Sequence, residues 1–138
     1  MNKTLMALFI GLSLLPIPAQ AQKTEQEKLY IQTVLNVLKE QGYTLDSPSS
    51  QDKWLMLDKG KGYCRYLKSN YPYATLIDQI KIDTNPKLYL RGTEQDKINW
   101  SITMQGYYET VLYASTVVLC PEQEHKAIEY YQKLEQSN

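Results

Sequence analysis

Two cysteines, Cys64 and Cys120, constrain the fold of this chain of 138 residues more than any other feature. A bond between them closes a loop of about 57 residues, which is worth roughly 4 kcal/mol on the chain-entropy description of cross-links. The alternative is a redox-active or nucleophilic cysteine, but the sequence shows neither a C-x-x-C pair nor an evident base beside a thiol. We therefore expect a structural disulfide formed in an oxidising compartment.

The first 21 residues have the features of an export signal. A positive charge at Lys3 precedes an apolar run over 5–15, and two prolines lead into the cleavage pattern Ala19-Gln20-Ala21. The apolar run is shorter than the roughly 20 residues that a membrane-spanning helix needs. We expect a signal peptide cleaved after Ala21 and a secreted or periplasmic protein without a membrane span. The alternative is an uncleaved anchor.

Length and charge bound the kind of protein that remains after cleavage. Residues 22–138 are enough for one domain with one core and too few for two. Loss of Lys3 with the signal leaves a formal charge of −1, which provides no electrostatic attraction to nucleic acid or to an anionic membrane. The partner expected for this single domain is an unknown exported protein or a small molecule, and not nucleic acid.

Apolar residues recur at helical spacing through the domain and predict an all-α fold of four to five helices. Helix 1 is predicted from a capping box at Thr24 and Glu27 to a glycine cap at Gly42. Its apolar stripe comprises Ile31, Val34, Leu35 and Leu38, with Tyr30 and Val37 beside it. Thr33 is placed on the opposite, polar side.

Helix 2 is predicted after a polar loop over 43–50, with Ser49 or Ser50 as its cap and Asp52 at its positive end. The residues on one of its faces are Trp54, Leu57, Lys61 and Cys64. A glycine inside a helix costs about 1 kcal/mol relative to alanine. We expect Gly60, one turn before Cys64, to make room for the close approach that a disulfide requires.

The second half of the chain predicts three further helices. Proline after Asn70-Tyr71 marks a break, and helix 3 follows over 73–82. Residues 83–92 alternate weakly in hydropathy and are predicted to be irregular. A long helix 4 is predicted over 94–119, where burial must hold its β-branched end. A final amphipathic helix is predicted over 122–134, after Pro121.

No set of residues in the sequence predicts catalysis, a metal site or a cofactor site. His125 is the single histidine, and it lacks both further ligands at metal spacing and a nucleophile to activate. A glycosidase-type pair of acids has no support, because the carboxylates cannot be paired from sequence. Those carboxylates include Asp78, Asp83, Glu109 and Glu129. We expect a protein that is not an enzyme and holds no cofactor.

Tyrosine is the one residue type with a functional interpretation, since the chain has 12 tyrosines and a single phenylalanine. Exposed tyrosines supply contact area and a hydroxyl at low entropic cost, which suits recognition of a protein or a sugar. The candidate interaction surface comprises Tyr63, Tyr66, Tyr71 and Tyr73. In the simpler interpretation, which we prefer, tyrosine replaces phenylalanine at the rim of a small core with its hydroxyl outward.

Three short patterns together resemble a known family. They are Leu38-x-x-x-Gly42, Gly60-x-x-x-Cys64-x-x-Leu67 and Cys120-Pro121. The chain looks like a domain-of-unknown-function family of small exported bacterial proteins, of the type found in mycobacteria and cyanobacteria. The resemblance spans residues 29–121, and it implies a small all-helical fold in which the two cysteines pair. It implies no activity and no functional residues. The chain departs from the family between helices 3 and 4 and in its extra C-terminal helix.

Three classes of function remain open. The first is a small exported, non-enzymatic binding or interaction protein that inhibits or assists another exported protein. The second is a small-molecule or lipid carrier, which a pocket of about 300 Å³ or more between helices 1, 2 and 4 would favour. The third is a hydrolase that uses acids not recognisable in the sequence. Burial of the four tyrosines without an apolar patch would count against the first class.

Overall fold

A computed structural model describes residues 19–43 and 47–138, with side chains from residue 24 onward. In this part of the chain the structure is all-helical, as predicted, and the α-helices form one small domain. They are α1 (Ala19–Glu40), α2 (Ser50–Lys68), α3 (Tyr73–Asp83), α4 (Glu94–Ala114) and α5 (Glu124–Gln136). Shorter helical segments are Pro86–Leu88, Ser115–Leu119 and Pro121–Gln123.

Part of the sequence prediction lies outside the described residues. This holds for residues 1–18 of the predicted signal peptide and for residues 44–46 of the polar loop after helix 1. Among the helices that are described, none is both long and apolar enough to cross a membrane.

Helix α1 begins earlier than the capping pattern predicts. It is helical from Ala19, so Thr24 lies inside it and the predicted capping box is wrong. Thr24 and Glu27 have the spacing of a capping box because positions three apart lie on the same helix face. The Glu27 carboxylate instead forms an ion pair with the Lys61 ammonium of α2 at 2.8 Å. The C-terminal prediction is confirmed, since Gly42 has a φ of +89° in the left-handed region.

The buried face of α1 is turned by one residue from the predicted stripe. Its fully buried residues are Tyr30, Val34 and Leu38, with Thr33 beside them. Val34 and Leu38 of the predicted stripe are buried as predicted, whereas Ile31 and Leu35 lie half-buried at the edge. Tyr30 can occupy the core because its hydroxyl donates to the carbonyl oxygen of Met56 at 2.8 Å. A buried phenol therefore replaces the aliphatic residue that the stripe predicts.

A capping box starts α2, and Ser49 is the cap. The Ser49 hydroxyl accepts from the Asp52 amide at 3.1 Å, and the Asp52 carboxylate accepts from the Ser49 amide at 2.9 Å. The Ser49 hydroxyl and amide together lower the pKa of Asp52. The buried face differs from the predicted one, because Trp54 is 61% exposed. The residues that α2 buries are Met56, Gly60, Tyr63, Cys64 and Leu67.

Gly60 was predicted to make room for the disulfide, but the group that approaches it most closely is the Tyr30 phenol. A Cβ atom on Gly60 would lie 2.5 Å from the Tyr30 hydroxyl oxygen and 2.9 Å from Ser115 Oγ. Tyr30 belongs to α1 and Ser115 follows α4, so three segments meet at this glycine. The space serves the Tyr30 phenol rather than the disulfide itself.

The predicted pairing of Cys64 with Cys120 is confirmed. Their sulfur atoms lie 2.09 Å apart, at bonding distance, and both residues are buried. Helix 4 was predicted as one α-helix to residue 119, but Ser115–Leu119 is a π-helix. The amide of Cys120 donates to the carbonyl of Ser115 at 2.9 Å, which is the wider i to i+5 spacing. Burial holds this β-branched segment, as predicted.

Tyrosines hold α3 and α5 together at the other side of the domain. The buried ring of Tyr73 lies 5.2 Å from that of Tyr130 and 5.8 Å from that of Tyr131, measured between centroids. Burial raises the pKa of Tyr73, so its phenol stays neutral. Between α3 and α4 the chain is irregular, as predicted, apart from the single turn Pro86–Leu88.

Candidate functional site

Two of the four tyrosines proposed from the sequence are buried. Tyr63 is 6% exposed and Tyr73 is 3% exposed, because the faces that carry them pack against neighbouring helices. Both rings therefore belong to the hydrophobic core rather than to an exposed surface, although Tyr63 also lines the pocket described below. Tyr66 and Tyr71 are 50% and 45% exposed, so these two form the exposed part of the candidate surface.

A pocket of about 310 Å³ between α2 and α3 brings three of the four tyrosines together. We call it the tyrosine pocket. Its aromatic residues are Tyr63, Tyr66 and Tyr71, and its apolar residues are Leu76 and Ile80. The volume is within the range of pockets that hold small ligands, so the pocket is large enough to receive a ring or one side chain.

The exposed wall of the pocket is a corner made by two rings. The centroids of Tyr66 and Tyr71 lie 5.2 Å apart and the ring planes meet at 74°. Asn70, which lies between Tyr66 and Tyr71 in sequence, has a φ of +66°, a left-handed conformation that asparagine tolerates better than most residues. The turn lets the Tyr71 amide donate to the Tyr66 carbonyl at 3.1 Å. The backbone therefore fixes the two rings against each other.

Charged groups of opposite sign line the same pocket. The Lys59 ammonium lies 5.3 Å from the ring centroid of Tyr63 and 5.2 Å from that of Tyr108, a cation–π arrangement. The Asp83 carboxylate accepts from the Gln79 amide nitrogen at 2.9 Å. Burial raises the pKa of Tyr63, and the nearby Tyr108 and Asp83 raise it further, so the Tyr63 phenol remains a neutral hydrogen-bonding group.

These features together define what the tyrosine pocket can bind. Phenol rings and aliphatic side chains favour the face of a ring or an apolar side chain. Lys59 offers a donor and Asp83 an acceptor for a polar edge of the same ligand. Because the two charges offset each other, the lining selects neither an anion nor a cation strongly.

No protein-family model, curated protein or solved structure matches this chain. The comparisons therefore do not test the resemblance to the family of exported bacterial proteins, which stays a prediction. Function is therefore inferred from the geometry of the described residues.

The remaining sequence candidates are scattered rather than gathered in the pocket. His125 is exposed on α5, and its Nδ1 donates to the carbonyl oxygen of Glu122 at 3.0 Å. Asp78 and Glu129 are exposed, whereas Glu109 accepts from the Gln105 amide nitrogen at 3.2 Å. Over the residues that the structure describes, no three His, Cys, Asp or Glu side chains are grouped to hold a metal ion.

Sequence reasoning missed three polar members of the pocket, Lys59, Thr75 and Gln79. Lys59 precedes Tyr63 by four residues on α2, which is the spacing at which a lysine can reach a tyrosine ring on the same helix face. That spacing could have identified Lys59. Gln79 lies on α3, and only the packing of α3 against α2 brings it to the tyrosines.

Proposed function

We propose that the protein is an exported, non-enzymatic binding module that holds a partner at the tyrosine pocket. The observation that carries the proposal is the pocket itself, a concave site of about 310 Å³ with two exposed tyrosines at its edge. Concave sites lined by aromatic residues are where binding energy concentrates in protein interfaces. The partner class that suits this surface is another exported protein, which the module inhibits or assists.

Preorganisation supports a binding role. The corner of Tyr66 and Tyr71 is held by a backbone hydrogen bond and by the ring contact between them. Because each ring restricts the rotamers of the other before binding, less conformational entropy is lost when a partner docks. A partner side chain with an apolar face and a polar edge matches the apolar floor and the Lys59 and Asp83 groups of the lining.

Two further observations bear on the compartment and on the glycosidase alternative. A cysteine pair at bonding distance is compatible with an oxidising compartment outside the cytoplasm. Asp83 is the single acid among the residues that line the tyrosine pocket, so a pair of acids for glycoside hydrolysis is not assembled there. Export through the signal at residues 1–21 is part of the proposal.

Affinity capture tests the proposal. The oxidised protein is used to retain material from its own exported fraction, in parallel with a Tyr66→Ala/Tyr71→Ala variant. Leu90→Ala serves as the matched control, because Leu90 is 90% exposed and does not line the pocket. We expect a stoichiometric protein that wild type and Leu90→Ala retain and that the tyrosine variant loses. Equal retention by a tyrosine variant with an unchanged circular-dichroism spectrum would contradict the proposal.

A further inference from the structure

A second concave surface, of about 530 Å³, lies between α1 and α2 and shares no lining residue with the tyrosine pocket. We call it the α1–α2 groove. Its apolar residues are Ile31 and Leu35 from α1 and Trp54 and Leu57 from α2. Residues four apart on one helix and three apart on the other each lie on one face, so the groove has two facing apolar rows.

These four side chains belong to the apolar faces that the sequence predicts for the first two helices, and the folded domain leaves them at its edge. Ile31, Leu35 and Leu57 are half-buried, whereas Trp54 is 61% exposed. Three of the four therefore form a recessed floor, and the tryptophan stands as a wall beside it. A recessed floor with one aromatic wall suits a narrow apolar chain more than a flat partner surface.

The charged side chains at the rim of the groove indicate which polar group a bound apolar chain would carry at its end. Glu27 at the rim is paired with Lys61 at 2.8 Å, and Lys28 is paired with Glu25 at 3.2 Å. Lys53, which also lines the groove, forms no ion pair with the described residues. A cation that no described acid pairs with, beside an apolar floor, complements an anionic group attached to a hydrocarbon chain.

We propose that the α1–α2 groove binds a single-chain carboxylate of the free fatty acid class, with its hydrocarbon chain on the apolar floor and its carboxylate at Lys53. The site is independent of the tyrosine pocket and goes beyond the binding function proposed for it. The groove lies between α1 and α2 only, whereas the carrier pocket expected from the sequence also included helix 4.

A membrane surface is the competing occupant, and two observations disfavour it. Insertion into a bilayer requires apolar side chains that protrude, whereas Ile31, Leu35 and Leu57 are recessed between helices. The chain has 15 basic and 15 acidic residues, so no excess positive charge draws it to an anionic bilayer.

Trp54 provides a direct reporter of the groove. In a Trp100→Phe background Trp54 is the sole tryptophan, and the ring contact of residue 100 with Tyr89 is kept by phenylalanine. Sodium dodecanoate is titrated into the oxidised protein below its micelle concentration, and dodecanol serves as the matched neutral ligand. We expect a saturable blue shift of Trp54 emission with a stoichiometry of one.

Lys53→Gln separates the carboxylate contact from the apolar one. We expect it to weaken dodecanoate binding about three- to fivefold, as loss of an exposed ion pair does, and to leave dodecanol binding unchanged. Lys87→Gln is the control, because Lys87 is exposed and lies outside the groove. Tyr66→Ala should leave the Trp54 response intact, so this inference and the proposed function fail separately.

Three results would overturn the inference. The first is an emission spectrum that dodecanoate does not change. The second is an equal effect of Lys53→Gln on dodecanoate and dodecanol, which would remove the role of the ammonium. The third is a blue shift with phosphatidylcholine or phosphatidylglycerol vesicles and none with dodecanoate, which would assign the groove to a membrane surface.

Discussion

At the scale of single residues, the approach of α1 to α2 depends on the absence of a side chain at Gly60. The Tyr30 phenol occupies the space that a Cβ atom would take, and its hydroxyl is satisfied by the Met56 carbonyl at 2.8 Å. Burial raises the pKa of Tyr30, which keeps the phenol neutral. A large polar aromatic residue is thus buried because a glycine on the next helix admits it.

Gly60→Ala is expected to destabilise the protein by about 2 kcal/mol, because overpacking outweighs the gain in helix propensity. Gly62→Ala is the matched control on the same helix. There the nearest atom to an added Cβ is the flexible Arg65 guanidinium at 3.6 Å, so alanine should stabilise the protein by up to about 1 kcal/mol. Urea unfolding measures both variants, and equal effects would contradict this packing at Gly60.

A double variant tests whether the Tyr30 ring is the group that Gly60 admits. Tyr30→Leu removes both the hydroxyl oxygen and the ring carbon Cζ, which would lie 2.5 Å and 2.6 Å from a Cβ atom at position 60. We expect Gly60→Ala to cost less in the Tyr30→Leu background than in wild type. Strictly additive free energies of unfolding would show that the two positions do not interact.

Glu124 gives the stability of the fold a pH dependence of its own. Its Oε1 is buried without a hydrogen-bond partner among the described residues, and burial raises the pKa of the carboxyl above its usual 4.5. A raised pKa in the folded state means that stability is present below pH 4.5 and is lost as pH rises through the folded pKa. Glu124→Gln should therefore gain stability over wild type between pH 4 and pH 7, and thermal unfolding at both pH values measures it. An unchanged difference across that range would contradict the assignment.

At the scale of the helices, capping distinguishes patterns that look alike in sequence. Ser49 and Thr93 both start helices, and each makes a reciprocal pair of hydrogen bonds with an aspartate three residues later. Thr24 has the same spacing to Glu27 but lies inside α1. The spacing alone therefore cannot mark a helix start, because the helix repeat places the same residues on one face.

Ser49→Ala is expected to lower the free energy of unfolding by about 1 kcal/mol through loss of the cap. Ser50→Ala is the natural control, since Ser50 is the first residue of α2 and alanine is favourable in a helix. Chemical denaturation compares the two. A larger loss in Ser50→Ala would move the cap by one residue and contradict the observed geometry.

Periodicity identified the helices because it depends on local sequence, and it was less successful at identifying their faces. Rules that weight aliphatic residues placed Ile31 and Leu35 in the apolar stripe of α1 and Tyr30 beside it, whereas Tyr30 occupies the core. The π-helix after α4 was not predictable, because tertiary packing and the disulfide set its geometry. In the tyrosine pocket, Tyr66 and Tyr71 were found from composition. The contributions of Gln79 and Asp83 depend on how α3 packs against α2, which no local pattern encodes.

At the scale of the whole molecule, one covalent bond connects the two halves of the domain. The Cys64–Cys120 bridge joins residues 56 apart in sequence, and it ties α2 to the segment between α4 and α5. The tyrosine contacts of Tyr73 with Tyr130 and Tyr131 connect α5 to α3. Of the two helices that line the tyrosine pocket, α2 is therefore held by the disulfide and α3 by its tyrosine contacts with α5.

A Cys64→Ala/Cys120→Ala variant is expected to lose roughly 4 kcal/mol of unfolding free energy, because the unfolded chain regains the entropy that the closed loop removes. Urea unfolding of the oxidised wild type and the variant measures the difference. Reductant should lower the midpoint of wild type and leave that of the variant unchanged. A variant as stable as oxidised wild type would contradict the role of the bridge.

The most direct test of a partner at the tyrosine pocket is tyrosine nitration read by mass spectrometry. Tetranitromethane is applied to the purified protein and to the same protein in its own exported fraction. The account predicts that Tyr66 and Tyr71, which are 50% and 45% exposed, react in the purified protein and are protected in the exported fraction. Buried Tyr30 and Tyr73 should resist nitration in both samples. Equal nitration of Tyr66 and Tyr71 in both samples would contradict a partner at this pocket.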